Sequence, residues 1–196
     1  ASPFYRGGGP AAAFVILTGA VILASSPLLT EGIDLTCADS IFHLQRIEGI
    51  AQGLKDGQFP VRLNSEAKNG YGYANSMFYG ELFLYIPACL RLLGTSVQDA
   101  YKFYAVGIHA ATALISYLSF KPIFGRKEAI FGAAIYVMSP YRLHKYYDLY
   151  AVGEYTALTF LPAIAYALWL LYHGEPGKVE RRRAMTVLAL SYTALL

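Results

Sequence analysis

The sequence of 196 residues is 56% hydrophobic and 15% charged, with a mean hydropathy of +0.38. Soluble domains average about 45–50% apolar and about 25% charged residues, and a chain this apolar would not stay unfolded in water, so both a soluble domain and a disordered one are excluded. A net charge of +3 from scattered basic residues excludes nucleic acid as a partner, and two cysteines are too few for a disulfide framework or a structural zinc site. The composition therefore predicts an integral membrane protein.

Hydropathy predicts an all-α, polytopic bundle of transmembrane helices. The first uncharged run, residues 11–29, is long enough to cross a bilayer; a signal peptide cleaved near the small residues 24–26 is the alternative. Further spans are predicted at 101–120, 129–142, 155–172 and 184–196. Because the last run has 13 residues and a crossing takes about 20, we expect a truncated span and a chain that is the N-terminal part of a longer protein.

The distribution of cations predicts the topology, since Lys and Arg accumulate on the cytoplasmic side of membranes. Two clusters are expected inside, Lys121 with Arg126 and Lys127, and Lys178 with residues 181–183. Residues 139–154 and the long loop 30–98 then lie outside. Only one full crossing can lie between the first outer loop and the inner cluster at Lys121, and the span 101–120 provides it. The interrupted apolar segment 77–93 is therefore expected on the outer surface as an interfacial or re-entrant helix.

The first outer loop contains a predicted amphipathic helix over residues 39–56, ended by Gly57. At about 100° per residue, one sector is apolar and an adjoining stripe carries Asp39, His43 and Arg46. The first interpretation is that Asp39 caps the helix while Arg46 snorkels or pairs with it. The second is that the stripe lines a cavity above the bilayer, with Asp39 as a base or ligand and Arg46 facing an anion. The apolar sector consists of Leu44, Ile47, Ile50, Ala51 and Leu54.

The second outer loop, residues 139–155, places five ionisable side chains among five tyrosines. An interfacial aromatic belt with solvated charges is one interpretation. In the other, the cations bind a phosphate and one of the acids supplies a second carboxylate. The cations are Arg142, His144 and Lys145, and the acids are Asp148 and Glu154.

Two further side chains stand in apolar surroundings. Glu81 interrupts the segment 77–93, where a charge is costly unless it faces a cavity or partner, and it is therefore a candidate site residue. His109 lies inside the span 101–120 and is expected to be packed and hydrogen-bonded rather than a ligand. The sequence contains no nucleotide-binding loop, nucleophile elbow or CxxC motif.

Residues 39–50 (DSIFHLQRIEGI) resemble the first-loop motif of the YfhO-like and related uncharacterised families of bacterial multispanning proteins. The similarity continues through residues 57–62, 70–73 and 78–87, and it covers roughly residues 11–172. These families look like members of the GT-C superfamily of membrane glycosyltransferases. Members of that superfamily carry an acidic residue in the first outer loop, followed by interfacial helices.

The resemblance implies an enzyme of the bacterial plasma membrane that moves a sugar from a lipid-phosphate donor, usually a polyprenyl phosphate, to a cell-envelope glycan acceptor at the outer face. Asp39 would be the catalytic general base or a metal ligand, and Glu154 a second catalytic carboxylate; a divalent metal ion stays open as a cofactor. The implied substrate-binding residues are His43, Arg46, Glu81, Arg142, His144, Lys145 and Asp148.

The alternative is a non-catalytic membrane scaffold or a transporter for lipid-linked glycans, built on the same fold. A soluble sugar-binding domain in a further C-terminal part would favour the enzyme. A second, inverted set of spans there would favour the transporter. In either case the expected partners are a lipid-linked sugar and the membrane lipids.

Overall fold

The computed structural model describes residues 9–30, 33–37, 39–173 and 178–194, so the predicted segments 30–98 and 184–196 each include residues outside the described ranges. The chain is 75% helix and has no strand within those ranges, which confirms the all-α prediction for them. The helices are α1 Pro10–Thr30, α2 Ser40–Lys55, α3 Tyr85–Leu92, α4 Val97–Phe124, α5 Arg126–Val137, α6 Pro140–Tyr147, α7 Val152–Leu158, α8 Leu161–His173 and α9 Lys178–Thr193.

Three helical segments are long and apolar enough to cross a membrane. They are Pro10–Leu29, Val97–Phe124 and Val152–His173, the last formed by α7 and α8 together. They correspond to the predicted spans 11–29, 101–120 and 155–172. The length and the hydropathy of these three segments therefore agree with the membrane protein that the composition predicts.

The predicted span 129–142 is not one helix. α5 ends at Val137, and α6 begins at Pro140, whose ring removes a backbone N–H and forces Ser139 out of the helical conformation (φ −54°, ψ 125°). The 12 residues of α5 rise about 18 Å, which is less than the ~30 Å of a hydrocarbon core. α9 likewise differs from the predicted boundary, because it begins at Lys178 rather than at residue 184.

Contacts between helices define two ends of the bundle. α1 and α4 are antiparallel, since Ala24 clusters with Ala113 and the later residue Leu28 joins the cluster of the earlier residue Tyr101. α4 and α7 run in the same direction, with Tyr101 bonded to Tyr155, Tyr104 to Thr156 and Thr112 to Thr159 in turn. We name the end with Pro10, Lys121 and Arg126 the cationic end, and the end where α4 and α7 begin the pocket end.

α2 packs at the pocket end through the apolar sector that its periodicity predicts. Leu44, Ile47, Ile50 and Ala51 are all buried there, and the helix has the predicted length, with Asp39 and Asp56 as its flanking residues. The core that they join also contains Leu28, Val61, Tyr101, Tyr146 and Tyr155.

Two glycines let the returning chain lie directly on α2. A Cβ at Gly53 would meet Val61 Cγ1 at 2.6 Å, and one at Gly49 would overlap the amide of Asn64. Only glycine therefore permits this close approach. The chain turns back farther on through positive φ angles at Asn69 and Gly70, as that dipeptide predicts.

The segment 77–93 is not the single helix expected from hydropathy. It contains a short 3₁₀ turn at Leu82–Leu84 and then α3, whose eight residues rise about 12 Å. Glu81 lies before the 3₁₀ turn rather than inside a helix. Pro87 is tolerated in the first turn of α3 because no intrahelical hydrogen bond is lost there. The interfacial position of the segment stays a prediction.

Candidate pocket at the loop end of the bundle

A cavity of about 300 Å³ opens at the pocket end, between α2, the segment 79–84, α4, α7 and the end of α9. The three residues of the predicted α2 stripe and Glu154 of α7 all line it. The structure therefore brings together two groups of candidate residues that are more than 100 positions apart in the sequence. The polar lining includes Asp39, His43, Arg46, Tyr104, Glu154 and Thr156.

Of the two acids that line this pocket, Glu154 is paired with a lysine and Asp39 is not. It flanks the first residue of α2, yet its carboxylate makes no capping hydrogen bond to the helix. The side chain is exposed. A helix cap is the simplest explanation of an acid at this position, but it does not describe this side chain. Among the described residues the carboxylate has no partner, so it can accept a proton or a hydrogen bond from a ligand.

Arg46 lies deeper and is turned inward, so the expected snorkelling does not occur. It is 4% exposed, donates from Nη2 to the Gly80 carbonyl at 3.0 Å, and has Nη2 3.8 Å from Glu81 Oε1. Its guanidinium lies beside the rings of Phe42 and Tyr79, at 5.6 and 5.2 Å from their centroids. Its Nε has no hydrogen-bond partner among the described residues. Arg46 thus supplies a desolvated positive charge to the pocket wall.

His43 is neutral in this setting. Burial, and then the neighbouring Arg46, lower its pKa to about 3. Its Nδ1 lies 3.4 Å from Arg46 Nη1, and because a guanidinium can only donate, Nδ1 is the acceptor. The proton of the imidazole then belongs on Nε2. His43 therefore offers a neutral donor rather than a second cation.

Glu81 lies behind Arg46 rather than on the pocket surface. Its side chain is 8% exposed and accepts a hydrogen bond from the Ser76 hydroxyl. Burial raises the pKa of this carboxyl, while Ser76 and Arg46 oppose the rise. Its position makes Glu81 a charge partner of Arg46, not a direct ligand of whatever occupies the cavity.

Glu154 enters the pocket wall already held by two side chains. Its Oε2 lies 2.9 Å from Lys145 Nζ, and Tyr141 donates a hydrogen bond to its other oxygen. The hydrogen bond to Glu154 raises the pKa of Lys145. Of the five candidates in the second loop, Glu154 lines the pocket, and Lys145 contacts Glu154 from outside the lining.

Arg142 does not reach the pocket. It is 1% exposed and faces α4, where Nη1 donates to His109 Nδ1 at 2.9 Å and Nη2 to Thr112 Oγ1 at 2.6 Å. His109 is packed and hydrogen-bonded, as expected. His144 and Asp148 form an exposed pair at 2.6 Å on the outer surface of α6. The predicted phosphate-binding trio is therefore dispersed, because each of its members has a different partner: Arg142 in α4, His144 at Asp148 and Lys145 at Glu154.

The pocket also contains residues that the sequence did not indicate. Tyr104 shares a 2.6 Å hydrogen bond with Thr156, joining α4 to α7 beneath the cavity. Tyr79 covers the guanidinium of Arg46, and Thr193 reaches the cavity from α9. With 17 tyrosines in the chain, no pattern distinguishes Tyr79 or Tyr104 beforehand.

The donor set does not fit a metal centre. Within the described ranges, no three His, Cys, Asp or Glu side chains lie close enough together to hold an ion. The chemistry available at the pocket is therefore that of one free carboxylate, a desolvated guanidinium and a neutral imidazole.

No protein-family model, curated protein or solved structure matches this chain.

Proposed function

We propose that this chain is part of a membrane glycosyltransferase that takes a sugar from a lipid-phosphate donor and transfers it to a glycan acceptor at the outer face of a bacterial plasma membrane. The observation that carries the proposal is the shared cavity, in which the free carboxylate of Asp39 lies with the buried cation of Arg46. A carboxylate that can accept a proton and a cation that can face a phosphate are the two groups such a transfer needs.

In the proposed reaction, Asp39 takes the proton of the acceptor hydroxyl as the acceptor oxygen bonds to the anomeric carbon. The bond between that carbon and the carrier's phosphate oxygen breaks, and the lipid phosphate leaves as an anion. One carboxylate suffices, because a phosphate leaves without being protonated by an acid. Arg46 stabilises the departing charge more strongly in its desolvated position than it would in water.

The other residues hold these two in position. His43 accepts a hydrogen bond from Arg46 and, being neutral, leaves its remaining N–H free to orient a sugar or phosphate oxygen. Glu81 fixes the opposite edge of the guanidinium. Glu154, held by Lys145, forms the far wall and contacts the acceptor. The residues of the exposed pair, His144 and Asp148, take no part.

The test is the variant Asp39→Asn in the full-length protein. Asn keeps the shape of the side chain, and Asp39 makes no capping hydrogen bond that could be lost, so only the proton acceptor is removed. We expect transfer, measured by mass spectrometry of cell-envelope glycans, to fall by about 10²–10⁴-fold, the contribution of a general base. Asp56→Asn, at the exposed opposite end of the same helix, is the matched control and should leave transfer unchanged. Near-normal transfer by Asp39→Asn would refute the proposal.

A non-catalytic scaffold or transporter of lipid-linked glycans is the second candidate. The pairing of Arg46 with Glu81 and of Lys145 with Glu154 favours it, since charges that are already matched suit binding better than chemistry. The protein would then bind a lipid-linked sugar without consuming it, and Asp39→Asn would alter neither binding nor glycan composition.

A further inference from the structure

A second cavity, of about 640 Å³, lies between α1 and α4 at the cationic end. We name it the α1–α4 groove. Its walls are apolar over most of their length, and Phe14 and Leu114 on opposite walls remain 71% and 56% exposed. A volume in the range of about 300–1,000 Å³ is typical of sites for small molecules. The groove is separate from the pocket of the proposed transfer reaction, and no residue lines both.

The length of the groove matches one leaflet of a bilayer. On each helix its lining spans eleven residue steps, from Pro10 to Val21 and from Ala110 to Lys121. At 1.5 Å per residue this is about 16 Å, half of a hydrocarbon core of about 30 Å. An acyl chain that enters at the membrane surface therefore ends where the groove ends.

Charge is confined to one end of the groove. Lys121 and Arg126 line that end, with Lys121 Nζ 5.8 Å from the centre of the Tyr117 ring. Arg126 Nε is buried and has no hydrogen-bond partner in the described part of the chain. Arg126 also begins α5, whose first backbone N–H groups add partial positive charge. The acid of that turn, Glu128, lies beside Gly125 and outside the lining.

We propose that the α1–α4 groove binds an anionic glycerophospholipid of the leaflet at the cationic end. One acyl chain lies in the groove against its apolar walls, and the phosphate accepts hydrogen bonds from Lys121 and Arg126. A single molecule of this kind meets the three features together: a leaflet-length apolar channel, two cations at its mouth, and an unpartnered buried N–H. An apolar protein helix would cover the walls but leave both cations unmatched.

The experiment uses the full-length protein in phosphatidylcholine nanodiscs that contain a trace of phosphatidylglycerol with a photoactivatable group on its acyl chain. After illumination, cross-linked peptides are identified by mass spectrometry. We expect cross-links at groove residues of α1 and α4. Unlabelled phosphatidylglycerol should compete with the probe, and phosphatidylcholine should not.

The double variant Lys121→Gln/Arg126→Gln should lower the cross-linking yield about tenfold, since each cation near a membrane surface contributes several-fold to binding of an anionic lipid. Arg181→Gln/Arg182→Gln removes two exposed cations of α9 outside the groove and is the matched control. Leu114→Trp fills the groove and should lower the yield with both cations retained, which covers the case in which the double variant does not fold.

Three outcomes would overturn the proposal: equal competition by phosphatidylcholine, a yield that neither Leu114→Trp nor the double variant lowers, or cross-links confined to residues outside the groove. Because the measurement contains no sugar transfer, it succeeds or fails independently of the proposed activity.

Discussion

Lys145 Nζ and Glu154 Oε2 lie 2.9 Å apart and join the end of α6 to the beginning of α7. Both side chains are part-exposed, 20% and 40%, so the pair itself adds little to stability. Its importance is geometric, because it holds Glu154 in the wall of the pocket that Asp39 also lines. The two carboxylates of the pocket are thus unequal: one is held and the other is free.

This inequality predicts different losses of transfer in the two acid variants. We expect Glu154→Gln to reduce sugar transfer less than Asp39→Asn does, because a held wall residue binds the acceptor but takes no proton. A double-mutant cycle with Lys145→Gln checks the reason. If Glu154 acts through its pair, the double variant should be no worse than Glu154→Gln alone. A loss for Glu154→Gln equal to that of Asp39→Asn would assign the general base to Glu154 instead.

The buried arginine of α6 predicts a stability effect away from the pocket. Arg142→Ala should lower the free energy of unfolding by about 3 kcal/mol, because it opens a cavity and removes the donors that satisfy His109 and Thr112. Arg142→Met should cost less, since it fills the space without a charge to desolvate. The measurement is thermal unfolding in detergent, with exposed Arg182→Ala as the control.

The low pKa of His43 predicts acid sensitivity. The pKa is about 3 in the folded chain and 6.5 in the unfolded reference, so below pH 6.5 the unfolded chain binds a proton that the folded chain does not. Stability is therefore lost as the pH falls from 6.5 toward 3. We expect the melting temperature of His43→Gln to depend less on pH between 7 and 5 than that of the parent. Parallel curves would show that His43 is protonated in the fold.

The orientation of the two ends predicts a labelling pattern. With Cys37 and Cys89 replaced by serine, single cysteines at Asn69 and Asp148 should react in intact cells with a membrane-impermeant thiol reagent. A cysteine at Arg182, an exposed position on α9, should react only after the cells are opened. Labelling of Arg182→Cys alone in intact cells would invert the topology and exclude an outer-face reaction.

Local patterns in the sequence were sufficient for α2. Its apolar sector, its length and the stripe of Asp39, His43 and Arg46 all follow from a 3.6-residue period. They could be predicted because the helix buries one face and because Gly57, with a φ of 79°, ends it through its own backbone freedom. The boundary between α5 and α6 at Pro140 was harder to predict from the sequence, because a hydropathy window averages over the residues on both sides of the break.

Features that depend on distant partners could not be predicted. Arg142 is buried because His109 and Thr112, about 30 positions earlier, offer acceptors at the right depth of α4. In the sequence it is indistinguishable from Lys145, which instead pairs with Glu154 of the pocket wall. The position of Tyr104 in the cavity wall could not be predicted either, because it depends on a hydrogen bond to the distant residue Thr156. On a helix as short as α6, the packing partners of the helix decide which side chains face the bundle, and the local sequence does not show those partners.

The glycines of α2 have a consequence for how the pocket opens. Gly49 and Gly53 each weaken the helix by about 1 kcal/mol relative to alanine, so α2 depends on its packing in the core and on the chain that lies on it. Val61 and Asn64 supply that contact. The helix and the returning chain are therefore expected to form one cooperative unit, whose amide hydrogens should exchange with solvent together and ahead of those in α4. Asp39, His43 and Arg46 belong to this unit, so the pocket should lose its shape whenever the unit opens.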